Sequence, residues 1–153
     1  MKLAEALITR ADTEKRIAQL QQRLIRSAKV QEGDEPPENP QTLLDETTSL
    51  IGDMQTLIQS INRTNASTAF DDSRTLTDAL AERDMLMKER GILVYVIDNA
   101  SVIQPRYGQS EIKFISTVNI AELQSRVDNL SRHYRELDST IQQLNWTIDL
   151  IGT

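Results

Sequence analysis

The segment NIAELQSRVDNLSRHYRELDSTIQQLNWTIDLI, residues 119–151, carries apolar side chains at alternating steps of four and three residues. This rhythm continues for four heptads without a miss, which is the pattern of a helix that packs along one narrow seam, as in a coiled coil. Asn119 and Glu122 have the spacing of a capping pair, so we expect the helix to begin there. The segment therefore predicts one long helix over residues 119–151. Its seam consists of Leu123, Val127, Leu130, Tyr134, Leu137, Ile141, Leu144, Ile148 and Ile151.

Three earlier segments also have helical periodicity and predict helices over residues 3–30, 41–66 and 76–104. Gly33 and three prolines end the first of them. In the second, a further apolar stripe lies one position after the seam in each heptad, which suits a helix with more than one neighbour. Thr75 and Asp78 have capping-box spacing at the start of the third. Residues 92–97 are rich in β-branched side chains, so a strand there is the alternative. The further stripe of the second helix consists of Leu44, Ile51 and Ile58.

The predicted fold class is all-α. Four helices of similar length favour a long antiparallel four-helix bundle that forms a single domain over residues 1–153. The alternative arrangement is a pair of coiled-coil hairpins that associate between chains. In the bundle, the loop at 31–40 and the segment at 105–118 share one end. Both termini and the turn at 66–75 share the other.

The segment RYGQSEIKFISTV, residues 106–118, interrupts the helical pattern with a period of two. We expect a short strand-like segment between helices three and four. It either covers the open tip of the bundle, offers a binding surface, or pairs its edge with another chain. The binding surface would consist of Arg106, Tyr107, Glu111 and Lys113.

Charged residues interrupt the apolar stripes of the first and third helices. Arg10 and Glu14 occupy stripe positions on the first helix, and Arg83 and Arg90 occupy the seam of the third. An isolated buried charge is costly, so these positions predict a partly buried ion-pair layer in which Glu14 meets Arg83 and Arg90. The arginine stems could instead line the core edge with their heads in water. A buried arrangement would serve to specify the helix register or to bind an anionic ligand.

Composition excludes several chemistries and predicts no catalytic residue, metal or cofactor. The chain has no cysteine, so disulfides and thiolate sites are absent, as is common in a reducing cytoplasm. The single histidine, His133, cannot supply the paired Glu-x-x-His motifs of di-iron bundles. No secretory or membrane-spanning apolar run occurs, so we expect a cytoplasmic location without membrane contact.

The net charge of −6 is unevenly spread. Residues 1–30 carry seven Lys or Arg against three Asp or Glu, and residues 31–84 carry three against twelve. A basic first helix beside an acidic second helix indicates intramolecular complementarity, and a nucleic-acid-binding helical hairpin is the alternative. Five residues would lead that hairpin: Lys15, Arg16, Arg23, Arg26 and Lys29.

Five ordered motifs, KVQEGDEP (29–36), INRTN (61–65), LTDAL (76–80), SEIKFISTV (110–118) and LNWT (144–147), together resemble the septicolysin-like family of uncharacterised small bacterial proteins. The resemblance implies a helical protein without an established biochemical activity. Because the motifs concentrate at helix ends, it places binding residues at both ends of the bundle. At the end that holds the termini these are Asn62, Arg63 and Asn65.

The functional hypothesis is an intracellular, non-enzymatic helical interaction or structural protein that forms homo-oligomers. The unbroken seam of the fourth helix and the strand-like segment support it. Nucleic-acid binding through the basic first helix is one alternative. A cytolysin, as the family name suggests, is disfavoured because the helices have narrow seams and the sequence shows no export signal.

Overall fold

The computed structural model describes residues 1–101 and 113–152, and its regular secondary structure is helical. The four helices are α1 (Leu3–Ser27), α2 (Pro40–Ser67), α3 (Leu76–Ala100) and α4 (Ile120–Thr147). The all-α prediction is confirmed, and residues 92–97 are helical. The predicted strand-like segment falls mostly outside the described residues. Its described part, residues 113–118, is irregular and forms no strand.

The helix starts follow local capping chemistry. The Asn39 side chain accepts from the backbone N–H groups of Gln41 and Thr42 at 2.9 and 3.3 Å, and Pro40 occupies the first turn of α2. At α3 the predicted capping box is present, because Thr75 and Asp78 bond reciprocally through side chains and backbone. Each start therefore lies within one residue of its predicted position.

The helices divide between two compact units, whereas the sequence predicted one domain. The first unit contains Met1–Ala69 and the residues from Gln142 onward, and the second contains Phe70–Ile141. Helices α1 and α2 belong to the first unit. Helix α3 and most of α4 belong to the second.

In the first unit, α1 and α2 pack as an antiparallel hairpin along their apolar seams. Buried side chains recur along both helices and concentrate toward the N-terminal end of α1 and the C-terminal end of α2. These side chains include Leu3, Ala6 and Leu20 of α1, and Leu43, Ile61 and Thr64 of α2.

Helix α4 ends at Thr147, four residues before the predicted end, and residues 148–152 form an extended tail in the first unit. The N–H of Leu3 donates to the carbonyl of Ile148 at 3.0 Å, and the N–H of Leu150 donates to the carbonyl of Met1 at 2.9 Å. These bonds replace the helical ones, so the prediction for residues 148–151 is wrong. Periodicity missed the change because Ile148 and Ile151 are apolar in either conformation.

In the second unit, α3 and α4 form a second hairpin with its own buried seam. Buried apolar side chains recur along both helices of this unit. They are Leu76, Ala79 and Leu93 of α3, and Val127, Leu137 and Ile141 of α4. In the part of the chain that the structure describes, none of the helices combines the length and the apolar character needed to cross a bilayer.

Candidate functional site

The centre of the α3·α4 seam is polar. Arg83 lies between Ala79 and Leu93 on α3, and its Nη1 pairs with Asp138 Oδ1 at 2.9 Å. The two side chains are only 24% and 29% exposed. One heptad further along α3, Arg90 Nε donates to Ser131 Oγ at 2.7 Å. Both seam arginines thus bond to polar side chains on α4.

Arg10 and Glu14 form a pair of their own within α1, with Arg10 Nε 3.2 Å from Glu14 Oε1. Both side chains remain about half exposed, at 42% and 50%. The structure therefore records other partners for Glu14, Arg83 and Arg90 than those predicted. A neighbour four residues away on the same helix is within reach without the cost of burying a charge.

A second charged cluster ties the turn before α3 to the helix. The guanidinium of Arg74 pairs with Asp71 and Glu82 and lies 4.9 Å from the centre of the Phe70 ring. His133 Nε2 is 3.4 Å from Glu82. Hydrogen bonds from Arg74, and then from the backbone of Ser73, hold the pKa of Asp71 well below its ordinary value. Because the nitrogens of Arg74 already bond to two carboxylates, we assign this residue to stabilising the turn and not to binding a ligand.

Sequence reasoning overlooked the polar residues that hold the tail. Ser60 Oγ donates to the carbonyl of Gly152 at 3.0 Å, and Thr64 Oγ1 accepts from the N–H of Ile151 at 2.9 Å. Both side chains are buried in the first unit. The signal was available, since two hydroxyl residues four apart lie on the same side of α2 as Ile61 near the end of the helix.

The predicted binding residues at this end lie beside those contacts. Asn62 and Arg63 are exposed on α2, and Asn65 is half-buried. At Gly152, whose φ is +75°, an added Cβ would lie 3.3 Å from Arg63 Nη1, so the tail passes close to that guanidinium. Of the residues predicted for the other end, Lys113 is exposed. Three of them lie outside the described residues: Arg106, Tyr107 and Glu111.

The basic residues of α1 are partly neutralised within the first unit. Arg23 binds Glu38 with Nε–Oε2 and Nη2–Oε1 distances of 2.9 and 2.5 Å. The hydrogen bond from Arg23 lowers the pKa of Glu38. Lys15 pairs with Asp12 at 3.6 Å. Arg16, Arg26 and Lys29 are exposed.

Both units expose apolar side chains outside their seams. In the first unit these include Leu44 and Ile51 of the stripe predicted on α2, and Ile25 of α1, which is 59% exposed. The other exposed large apolar residues of this unit are Met1, Ile8, Val30, Trp146 and Ile151. In the second unit, Met85, Ile92 and Tyr95 form a ridge on α3, and Tyr95 is 71% exposed. Met87 is exposed on another side of the same helix. Large apolar groups on a helix surface mark interaction sites when they are contiguous.

The described residues offer no group of three or more His, Asp or Glu placed to hold a metal ion. A groove of about 250 Å³ opens between α1 and α2 on one side of the first hairpin. It is lined by Thr9, Thr13, Asp53, Met54, Thr56, Leu57 and Ser60. Because Thr9 and Thr13 line it together with residues 53–60, the groove shows which stretches of the two helices lie side by side.

Comparison with known proteins corrects the resemblance inferred from the motifs. Residues 10–150 match a family of unknown function, DUF6847, so the assignment to the septicolysin-like family is wrong. The crystal structure of a functionally unknown conserved protein from Corynebacterium diphtheriae has a TM-score of 0.91 to this chain. The two are 43% identical, and the alignment covers 98% of each chain. A search of curated proteins finds no match.

Proposed function

The chain belongs to the family of unknown function DUF6847, and from that premise we propose that it is a helical interaction protein that self-associates through exposed apolar helix faces. One observation carries the proposal. Each hairpin buries one seam and leaves a second set of apolar side chains in contact with solvent.

Helix α3 provides the clearest support in the second unit. Leu93 faces the seam, Met85 and Ile92 lie on one side of the helix, and Met87 lies on another. A helix that carries apolar residues on several sides is normally covered on several sides. The half-exposed positions outside the α1·α2 seam support the same conclusion for the first unit.

Charge pairing favours this function over nucleic-acid binding. A nucleic-acid site needs cationic side chains directed at phosphates, and its affinity falls steeply with salt. The Arg23 guanidinium is held instead by Glu38, and α2 beside it is acidic. If the chain nevertheless retained RNA in a salt-dependent way at low ionic strength, the nucleic-acid alternative would replace this proposal.

The test is the mass of the particle in solution. We expect light scattering after size exclusion, run at tens of micromolar, to give a multiple of the 17.3 kDa chain mass. Sedimentation velocity over a hundredfold range of concentration should show the oligomer dissociating on dilution. A strict monomer of the full chain throughout that range would refute self-association.

A further inference from the structure

One side of the α1·α2 hairpin carries a row of apolar residues outside the seam. Each of them follows a seam residue by one position, and in an antiparallel helix pair such positions on both helices lie on the same side of the hairpin. All are exposed except Ile58, which is half-buried. We name this set the flank face: Ala11, Ala18 and Ile25 of α1, with Leu44, Ile51 and Ile58 of α2.

The register of the hairpin groups the flank face into three levels. The groove on the opposite side sets Thr9 and Thr13 of α1 against residues 53–60 of α2, so Ala11 lies near residues 56–57. Continuing along the antiparallel helices places Ala18 within about half a turn of Ile51. In the same way Ala11 lies near Ile58, and Ile25 near Leu44. At two of the three levels a small side chain lies beside a large one.

Charge distinguishes the two sides of this hairpin. In the structure the seam of α1 consists of Leu3, Ala6, Arg10, Thr13, Ile17, Leu20, Leu24 and Ser27, each buried or half-buried, so Glu14 lies beside it. Within α1 and α2, the positions that precede seam residues carry eight charged side chains. The positions that follow carry one, Glu14, which already pairs with Arg10. A face without net charge can meet an identical face without like-charge repulsion. The eight charged residues are Glu5, Asp12, Arg16, Arg23, Arg26, Glu46, Asp53 and Arg63.

We infer that a second copy of this chain covers the flank face, related by a two-fold axis parallel to the helices. This inference rests on the proposed self-association and names its surface. Rotation about such an axis keeps every residue at its height and sets α1 of one copy against α2 of the other. Ile51 then meets Ala18 of the second copy, and Ile58 meets its Ala11. All neighbouring helices run antiparallel, as in a four-helix bundle.

Polar residues match under the same rotation. Between the apolar levels, Glu14 lies opposite Gln55 of the second copy, and Gln21 lies opposite its Thr48. Apolar residues therefore meet apolar ones, and polar residues meet polar ones, along the whole face. A contact in which the same patch serves both copies requires this self-complementarity.

The area of the face indicates a modest affinity. From Ala11 to Ile25 the face is about 21 Å long at 1.5 Å per residue, and two adjacent helices are about 20 Å wide. Each copy would bury about 400 Å², or about 800 Å² in total, which is below the standard size of a specific interface and fits a weak contact. The ridge on α3 is one helix wide and contains Lys88, so it offers a smaller apolar area.

Two matched substitutions test the face. Ile51→Glu introduces a carboxylate twice into the symmetric contact, and we expect it to raise the dissociation constant of the dimer at least about a hundredfold. Ile92→Glu makes the same change at a comparably exposed position and probes the α3 ridge as the competing surface. Gln19→Glu, at an exposed polar position on the other side of α1, is the control and should leave the constant within about threefold. Sedimentation equilibrium measures all three, and circular dichroism checks that helix content is unchanged.

Cross-linking tests the orientation independently of any loss of affinity. The chain has no cysteine, so Ala18→Cys and Ile51→Cys each provide a single thiol. Under mild oxidation, an equimolar mixture of the two variants should form disulfide-linked dimers several times faster than either variant alone. Equal rates in all three samples would overturn the two-fold arrangement.

The outcomes separate the two proposals. If the wild-type chain is a strict monomer, both fail. If it is a dimer that Ile92→Glu dissociates and Ile51→Glu does not, self-association stands and the flank face is wrong. If Ile51→Glu disturbs the fold, the same comparison is made with Ile25→Glu, which lies on the same face and is 59% exposed.

Discussion

The two hairpins follow the same heptad rule but are stabilised differently. In the first unit, apolar side chains such as Leu3 and Ile61 close the end of the seam, and the tail adds hydrogen bonds to buried hydroxyls. In the second unit, Arg83 and Arg90 occupy the middle of the seam and reach polar partners on α4. Heptad spacing therefore sets where helices meet, while the residues at the seam decide whether burial or charge pairing stabilises the contact.

The largest expected effect lies in the closed end of the first unit. Ile61→Ala should lower the free energy of unfolding by about 2–5 kcal/mol, because it removes buried methyl groups and leaves a cavity. Urea unfolding followed by the fluorescence of Trp146, the single tryptophan, measures this in the unit that contains the substitution. Ile8→Ala, in the same unit and 53% exposed, is the control and should change stability by less than about 0.5 kcal/mol. If both variants lost a similar free energy of unfolding, the buried Ile61 would contribute no more to stability than an exposed isoleucine.

In the second unit, the corresponding test is the seam ion pair. Asp138→Ala should cost about 1–2 kcal/mol, since it removes the closer and less exposed of the two carboxylates beside the part-buried Arg83 and leaves Asp84 at 3.5 Å. Arg83→Met keeps the apolar stem in the seam and should cost less. Urea unfolding followed by circular dichroism, applied to both single variants and the double variant, gives their coupling energy. A coupling near zero would show that the pair does not stabilise the seam.

The capping box of α3 should contribute about 1 kcal/mol. Thr75→Ala removes the hydroxyl that bonds to the Asp78 backbone and carboxylate. Thr75→Ser keeps a hydroxyl and is the control. Thermal unfolding of the two variants should separate them by several degrees, and equal midpoints would contradict a capping role.

A smaller effect on stability is expected when the pH is lowered. Bonds from the backbone and hydroxyl of Thr75 lower the pKa of Asp78. The unfolded chain therefore binds this proton more readily, so the contribution of Asp78 to stability is present above the ordinary pKa of about 4 and is lost as the pH falls below it. The group is exposed, so we expect a shallow loss. Asp78→Asn should reduce the change in the urea midpoint between pH 5 and pH 3. If the midpoint of the variant falls as steeply with pH as that of the wild type, Asp78 is not the cause of the loss.

The smallest effect is expected for the surface pair of α1. Glu14→Ala should change the free energy of unfolding by less than about 0.5 kcal/mol, because both partners are about half exposed. The measurement is urea unfolding at a concentration where the chain is monomeric, with Glu46→Ala as a second exposed acidic position. A loss above about 1 kcal/mol would restore the predicted buried ion-pair layer.

The helix starts could be predicted from the sequence because capping is local. Asn39, Thr75 and Asn119 each accept bonds from backbone groups two or three residues ahead, so a short window of sequence contains the whole interaction. The end of α4 could not be predicted in this way. Its last apolar residues fit a helix, and only contacts with Met1, Leu3 and Thr64 extend the chain there.

The same division applies to the charged residues. Periodicity correctly located Arg83 and Arg90 at the seam of the third helix, yet it gave them Glu14 as a partner. The recorded partners, Asp138 and Ser131, depend on which helices pair and in what register. The partner of a charged residue on a distant segment depends on the register between the helices. Local periodicity does not determine that register.

The amino-acid sequence by itself determined the four helices, their caps and the apolar positions that each helix must cover. Tertiary structure alone decided that the helices divide between two compact units, that the chain after Thr147 is extended, and which side chains Arg83 and Arg90 meet. The physical reason is range. Helix periodicity and capping act over a few residues, whereas hairpin register and tail docking depend on contacts between segments that lie far apart in the chain.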